Sequence, residues 1–99
     1  MGLLVLPECS GLLYSDHALR AMVTRFIRTK EVEEVVKNGE IIKFYASDKP
    51  YPSYLLLKFV SGRPIHVVIA QKSEDGKCIV ITCYEPTYEI WEMGFKQKR

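Results

Sequence analysis

The chain is poor in the features that would limit its chemistry at once. It has three cysteines in 99 residues, and Cys9, Cys78 and Cys83 show no C-x-x-C spacing. Cys78 and Cys83 stand an odd number of residues apart in one predicted strand, which points them to opposite faces. The expectation is neither a disulfide framework nor a zinc site, and hence a reducing, cytoplasmic setting. No apolar run approaches the roughly 20 residues of a membrane span. Residues 1–6 are apolar but short, and they lack the basic start of a signal peptide. The net charge is only +2, so a basic site must come from clustering. There is no phosphate-cradling glycine loop, serine nucleophile elbow or H-E-x-x-H pair. A nucleotide-using enzyme or a protease is disfavoured, and no cofactor or metal is expected.

What is present suffices for one core. The length is close to the commonest domain size, and 47% of the residues are hydrophobic. Residues 1–13 are expected to be a tail or a short edge strand, and residues 14–99 a single domain. Ser15 and Asp16 form an N-terminal helix signal, a side-chain cap followed by an acid where the dipole is positive. Leu19, Met22, Val23 and Phe26 then recur at the spacing of an inward apolar stripe. His17 falls in the first turn, away from that stripe. Thr29 is placed to cap a second helix with Val32, Val35 and Val36 inward, and Asn38-Gly39 ends it.

Strand patterns follow over residues 40–45, 54–60, 64–70 and 78–84. Ser61-Gly62 and Asp75-Gly76 are two-residue turn signals, and Pro86 ends the pairing. The fold class is therefore α+β: two N-terminal helices on one face of an antiparallel sheet of about four strands. With both turns two residues long, His66 shares a face with Leu55, Leu57, Phe59, Val68 and Cys83. Tyr84 shares the other with Tyr54, Lys58 and Thr82, and that mixed face reads as the open one. His66 then points toward the helices and His17, and a single bulge would reverse the assignment. Trp91 and Phe95 are expected to anchor the tail, leaving Lys96, Lys98 and Arg99 free.

Several short segments resemble one family. They are Ser15-Asp16-His17-Ala18-Leu19, Asn38-Gly39-Glu40, the loop from Asp48 to Ser53, and the strand from Gly62 to Val68. Tyr84-Glu85-Pro86, then Trp91, Gly94-Phe95 and the basic tail, complete the pattern. In order and spacing they resemble the DUF4258 family, bacterial domains of unknown function that are themselves similar to RelE/ParE/BrnT-like toxins. The resemblance implies a helix pair on a curved antiparallel sheet and a toxin-like role in a type II toxin–antitoxin pair. It implies a YgiT-type zinc-finger antitoxin as partner, and messenger RNA or the ribosome as target. The family pattern H-A-L-x-R-M carries arginine where this chain has Ala21, while Arg25 and Arg63 match.

Metal-independent RNA cleavage needs a proton acceptor, a proton donor and cations around the phosphorane. His17, His66, Arg63 and Tyr84 are the catalytic candidates. Arg20, Arg25, Lys58, Lys96 and Arg99 are the candidates for RNA phosphates. Tyr45, Tyr51, Tyr54 or Trp91 offer stacking surfaces. Each has a bland competitor: His66 as a satisfied core histidine, His17 as a solvated helix start, Arg63 as a surface charge. A second reading is a non-catalytic protein-binding domain on the same scaffold, using the sheet and aromatic tail for an antitoxin or for a homodimer. A third is a metal or ligand binder using His17, His66 and Cys83.

Overall fold

Ser15 starts the first helix as its sequence requires. Its hydroxyl accepts the Ala18 N–H at 3.0 Å and donates to the Ile81 carbonyl at 2.9 Å. One side chain thus caps the helix and ties it to a strand. The computed structural model describes residues 8–99, so residues 1–7 of the tail or edge strand expected over residues 1–13 lie outside the described residues. The elements are β1 (Leu12–Tyr14), α1 (Asp16–Arg25), α2 (Thr29–Asn38), β2 (Glu40–Tyr45), β3 (Ser53–Val60), β4 (Arg63–Gln71) and β5 (Cys78–Tyr84).

The architecture is α+β with two helices, and the sheet is larger than expected. It has five strands in the order β1-β5-β4-β3-β2. It is also mixed, because β1 runs parallel to β5 whereas the other neighbours are antiparallel. A three-residue strand offers too little alternation to be read from sequence.

That added strand explains a second correction. The Gly11 carbonyl accepts the Cys78 N–H at 2.8 Å, and Leu12 stands opposite Cys78. Cys9 is thereby carried to Cys78, and the two form a disulfide across a sequence separation of 69. The parallel pairing makes the juxtaposition, so cysteine spacing gave no sign of it. The basis for expecting a reducing compartment falls with it. No helix among the described residues is long and apolar enough to cross a membrane.

The first helix shows the expected period with another phase. Ala18, Ala21 and Met22 are buried, while Leu19, Val23 and Phe26 are 48%, 78% and 83% exposed. Two polar ties set the rotation. Ser15 bonds the Ile81 carbonyl, and the Arg25 guanidinium donates to the Cys83 carbonyl at 3.0 Å. Residues 15, 18, 22 and 25 lie on one stripe of a helix, so both ties turn the alanines toward β5 and Leu19, Val23 and Phe26 to solvent.

The second helix has the expected inward face, but its N-cap is Arg28 rather than Thr29, which is the first helical residue. Val32, Val35 and Val36 are buried, and the Glu31 carboxylate accepts the Arg28 N–H at 2.8 Å. Gly39 ends the helix by sterics: a Cβ there would lie 2.3 Å from the Val35 carbonyl oxygen.

Ser61-Gly62 makes the expected two-residue turn, with φ of +53° and +81° and Val60 opposite Arg63. Asp75-Gly76 does not. It belongs to a longer loop over residues 72–77, closed where Lys72 donates to the Lys77 carbonyl at 2.8 Å. A bulge follows, since Val68 pairs with Thr82 but Ile69 with Val80, leaving Ile81 as the extra residue. Beyond it every side chain of β5 changes sides. Cys78, Val80 and Cys83 all join the core under the helices, and Tyr84 stands opposite His66.

The other face of the sheet is covered as well. Residues beyond Pro86 double back, with Trp91 bridged to Lys98. Trp91 and Phe95 close a second core over Leu55 and Leu57. The expected anchoring by aromatics is seen, but the basic end is not free. Lys96 pairs with Glu40 at 3.1 Å and Arg99 with Glu92 at 3.2 Å.

Candidate functional site

The best-defined polar constellation lies between the sheet and this C-terminal cover. His66 is completely buried. Its Nε2 lies 2.8 Å from the Phe95 carbonyl oxygen, and its Nδ1 lies 3.2 Å from the Tyr84 hydroxyl. A carbonyl only accepts, so Nε2 carries the proton. In the neutral ring Nδ1 is then the acceptor, and Tyr84 donates to it. Trp91 stands edge-on to the imidazole, 4.5 Å between centroids.

Electrostatics agree with this protonation state. Burial pushes the His66 pKa below the usual imidazole value, opposed by the bond to Phe95. Burial raises the Tyr84 pKa, Tyr45 raises it further, and Arg25 opposes both. The pair is therefore a neutral imidazole and a neutral phenol. Tyr84 is half-buried whereas His66 is fully buried.

The expectation that His66 faces His17 is overturned. His66 lies on the face away from the helices, and His17 is exposed at the start of α1. Cys83 is not on the His66 face but in the core beneath the helices, and burial raises its thiol pKa. Lys58 and Tyr54 do not share a face with Tyr84. Tyr54 packs against the helix-side core, and Lys58 approaches Glu34 of α2 at 3.8 Å. The bulge at Ile81 puts Cys83 under the helices and Tyr84 beside His66, whereas the side His66 faces follows β3 and β4, whose Leu55 and Leu57 lie against the C-terminal cover. The three proposed metal ligands are thereby separated, and no group of three or more His, Cys, Asp or Glu able to hold a metal occurs among the described residues.

Arg63 acts as a clasp. Its Nε donates to Glu85 at 2.7 Å, Nη1 to the Phe26 carbonyl at 2.9 Å and Nη2 to the Arg25 carbonyl at 2.8 Å. Glu31 adds a contact at 3.8 Å. These donors satisfy the last carbonyls of α1, which leaves little of the guanidinium for a phosphate. Arg25 lies eight residues beyond His17, about 12 Å along the helix at 1.5 Å per residue. His17 and Arg63 thus mark opposite ends of α1. Among the five phosphate candidates, Lys58, Lys96 and Arg99 are held by carboxylates. Arg25 donates to a carbonyl, and Arg20 is exposed.

Lys43 escaped the sequence reading, and Lys98, expected to be free, joins it at the aromatic cover. The ammonium groups of Lys43 and Lys98 lie 5.9 and 5.8 Å from the Trp91 ring centre, within cation–π range. Pro86 told where the strand ends but carried no signal of where the tail would go.

Fold and site together define a small α+β domain with a helix pair on one side of a mixed sheet and an aromatic cover on the other. Residues 14–85 match the model of the domain of unknown function DUF4258, and the chain belongs to that family. No curated protein and no solved structure matches it.

Proposed function

We propose that this domain works by binding a protein, as the toxin-type member of a bacterial type II toxin–antitoxin pair, with the outer stripe of α1 as the antitoxin's seat. The observation that carries the reading is the exposure of Leu19, Val23 and Phe26 along that helix. Leu19 and Val23, spaced i, i+4, share one face of α1, with Phe26 exposed at its C-cap just beyond, and an apolar stretch left in water is what a partner covers. Arg20 beside it supplies a charge for register. The biological setting, and a YgiT-type zinc-finger protein as partner, are what the sequence resemblance to RelE/ParE/BrnT-like toxins implies.

The test is co-expression with the product of the neighbouring short reading frame. Growth arrest relieved by that product, and a complex lost in Val23→Glu and Phe26→Glu, support the reading. A complex indifferent to both substitutions overturns the seat, and normal growth on expression of the chain alone overturns the toxin role.

A second reading, metal-independent cleavage of messenger RNA free or on the ribosome, is favoured by the Tyr84–His66 contact beside Arg25. Tyr84 would move the proton, His66 would hold its hydroxyl, and Arg25 would face the phosphate. Cleavage of RNA by the purified chain that disappears in Tyr84→Phe supports it. Intact RNA, with ribosomes also present, counts against it.

A further inference from the structure

Where β3, β4 and β5 end near the C-terminal cover, the surface holds a recess of about 470 Å³. Its floor is Phe95, 4% exposed. Phe59 and Tyr88 both stand beside it, with ring centres 6.1 and 4.7 Å from that of Phe95. These two residues are 49% and 57% exposed, so both can be reached by whatever enters. Pro86 stiffens the wall, and Glu85 and Glu89 complete the lining without any lysine or arginine.

The charges there are arranged rather than incidental. Arg63 holds Glu85 by Oε1 alone, and its remaining donors turn away to the end of α1. Oε2 of Glu85 makes no hydrogen bond among the described residues, nor does the Glu89 carboxylate. Aromatic faces attract a cation through their quadrupoles, and carboxylates at the rim add direct attraction. A phosphate would meet two carboxylates in the lining, and the cation beside them, Arg63, is already engaged by Glu85 and the end of α1.

We infer that this recess binds an arginine side chain presented by an extended basic segment of a partner protein, its guanidinium stacked against Phe59 and Tyr88 and hydrogen-bonded to Glu85 or Glu89. Arginine suits the place better than lysine, because a planar guanidinium both stacks and forms paired bonds to a carboxylate. The recess is separate from the apolar stretch of α1, so the inference does not rest on that surface.

The test is fluorescence-anisotropy titration of the full chain with a labelled decapeptide of alternating alanine and arginine. A glutamine-for-arginine version and a ten-nucleotide single-stranded RNA serve as rival probes. Binding of the arginine peptide alone is expected. Tyr88→Ala should weaken it about fivefold or more, and Glu89→Gln about threefold with a flatter salt dependence. Both residues are exposed, and circular dichroism verifies that the variants fold. Phe59→Leu gives a second variant, keeping bulk while removing the ring face, and should also weaken binding. Equal binding of the glutamine peptide, indifference to all three substitutions, or RNA binding that depends on Tyr88 would each overturn the inference.

Discussion

Acid should loosen this domain through one buried imidazole, and the size of the effect follows from its surroundings. His66 is neutral, completely buried and bonded on both nitrogens, with its pKa below the ordinary 6.5. As pH falls through 6.5 the unfolded chain binds a proton that the folded chain refuses. Stability then drops with falling pH, by at most about 1.4 kcal/mol per pH unit for one proton. The loss stops only below the folded pKa, where both states are protonated. A protonated Nδ1 would donate to the Tyr84 oxygen instead of accepting from it, and the charge then buried beneath Trp91 and Phe95 makes the aromatic cover the part that should loosen. Urea unfolding followed by Trp91 fluorescence, run between pH 8.0 and 5.5, measures this directly. His66→Leu fits the apolar row of Leu55 and Leu57 and should flatten the pH dependence, whatever its own stability. Equal pH dependence in the two proteins, or a gain of stability on acidification, would refute the reasoning.

Reducing the Cys9–Cys78 bond reopens a loop of roughly 70 residues, and chain entropy puts the loss at about 4 kcal/mol as an upper figure. Urea midpoints with and without dithiothreitol check this, alongside the two-dalton mass change that establishes the bond. Phe26→Gly should stabilise by about 1 kcal/mol, because Phe26 sits in the left-handed region at φ +56° with its side chain in water. A lower melting temperature would contradict that. Gly39→Ala should cost about 1–3 kcal/mol by driving its Cβ into the Val35 carbonyl, read from denaturant unfolding. Tyr84→Phe leaves the buried Nδ1 of His66 without its donor and should cost about 1–3 kcal/mol at pH 8, measured the same way.

The parts legible in the sequence are those governed by local chemistry. Ser15 caps a helix and Gly39 ends one because capping and sterics act within a few residues. The valines of α2 face inward because an amphipathic period was their only strong signal. β2 and β5 fall where alternation and turn residues put them. What was not legible depends on contacts distant in sequence. The extra residue at Ile81 has no composition of its own, yet it decides that Tyr84 meets His66 and that Cys83 does not. The rotation of α1 comes from Ser15 and Arg25 reaching carbonyls of β5, which no period in the helix encodes. The pairing of Cys9 with Cys78 waits on a strand of three residues. Of the candidate site, the residue types were found but their grouping was not. His66 and Tyr84 were assigned to opposite faces and are partners, whereas His17, His66 and Arg63 were grouped and stand apart.

The aromatic cover also bears on where this domain ends. The span matched by the family model ends at residue 85, but Trp91 and Phe95, which roof Leu55, Leu57 and His66, lie beyond it. A protein cut at the boundary that homology draws would carry an uncapped oily floor with a stranded imidazole in its middle. The packed unit is therefore longer than the matched span, and the longer one is the molecule that has to be handled.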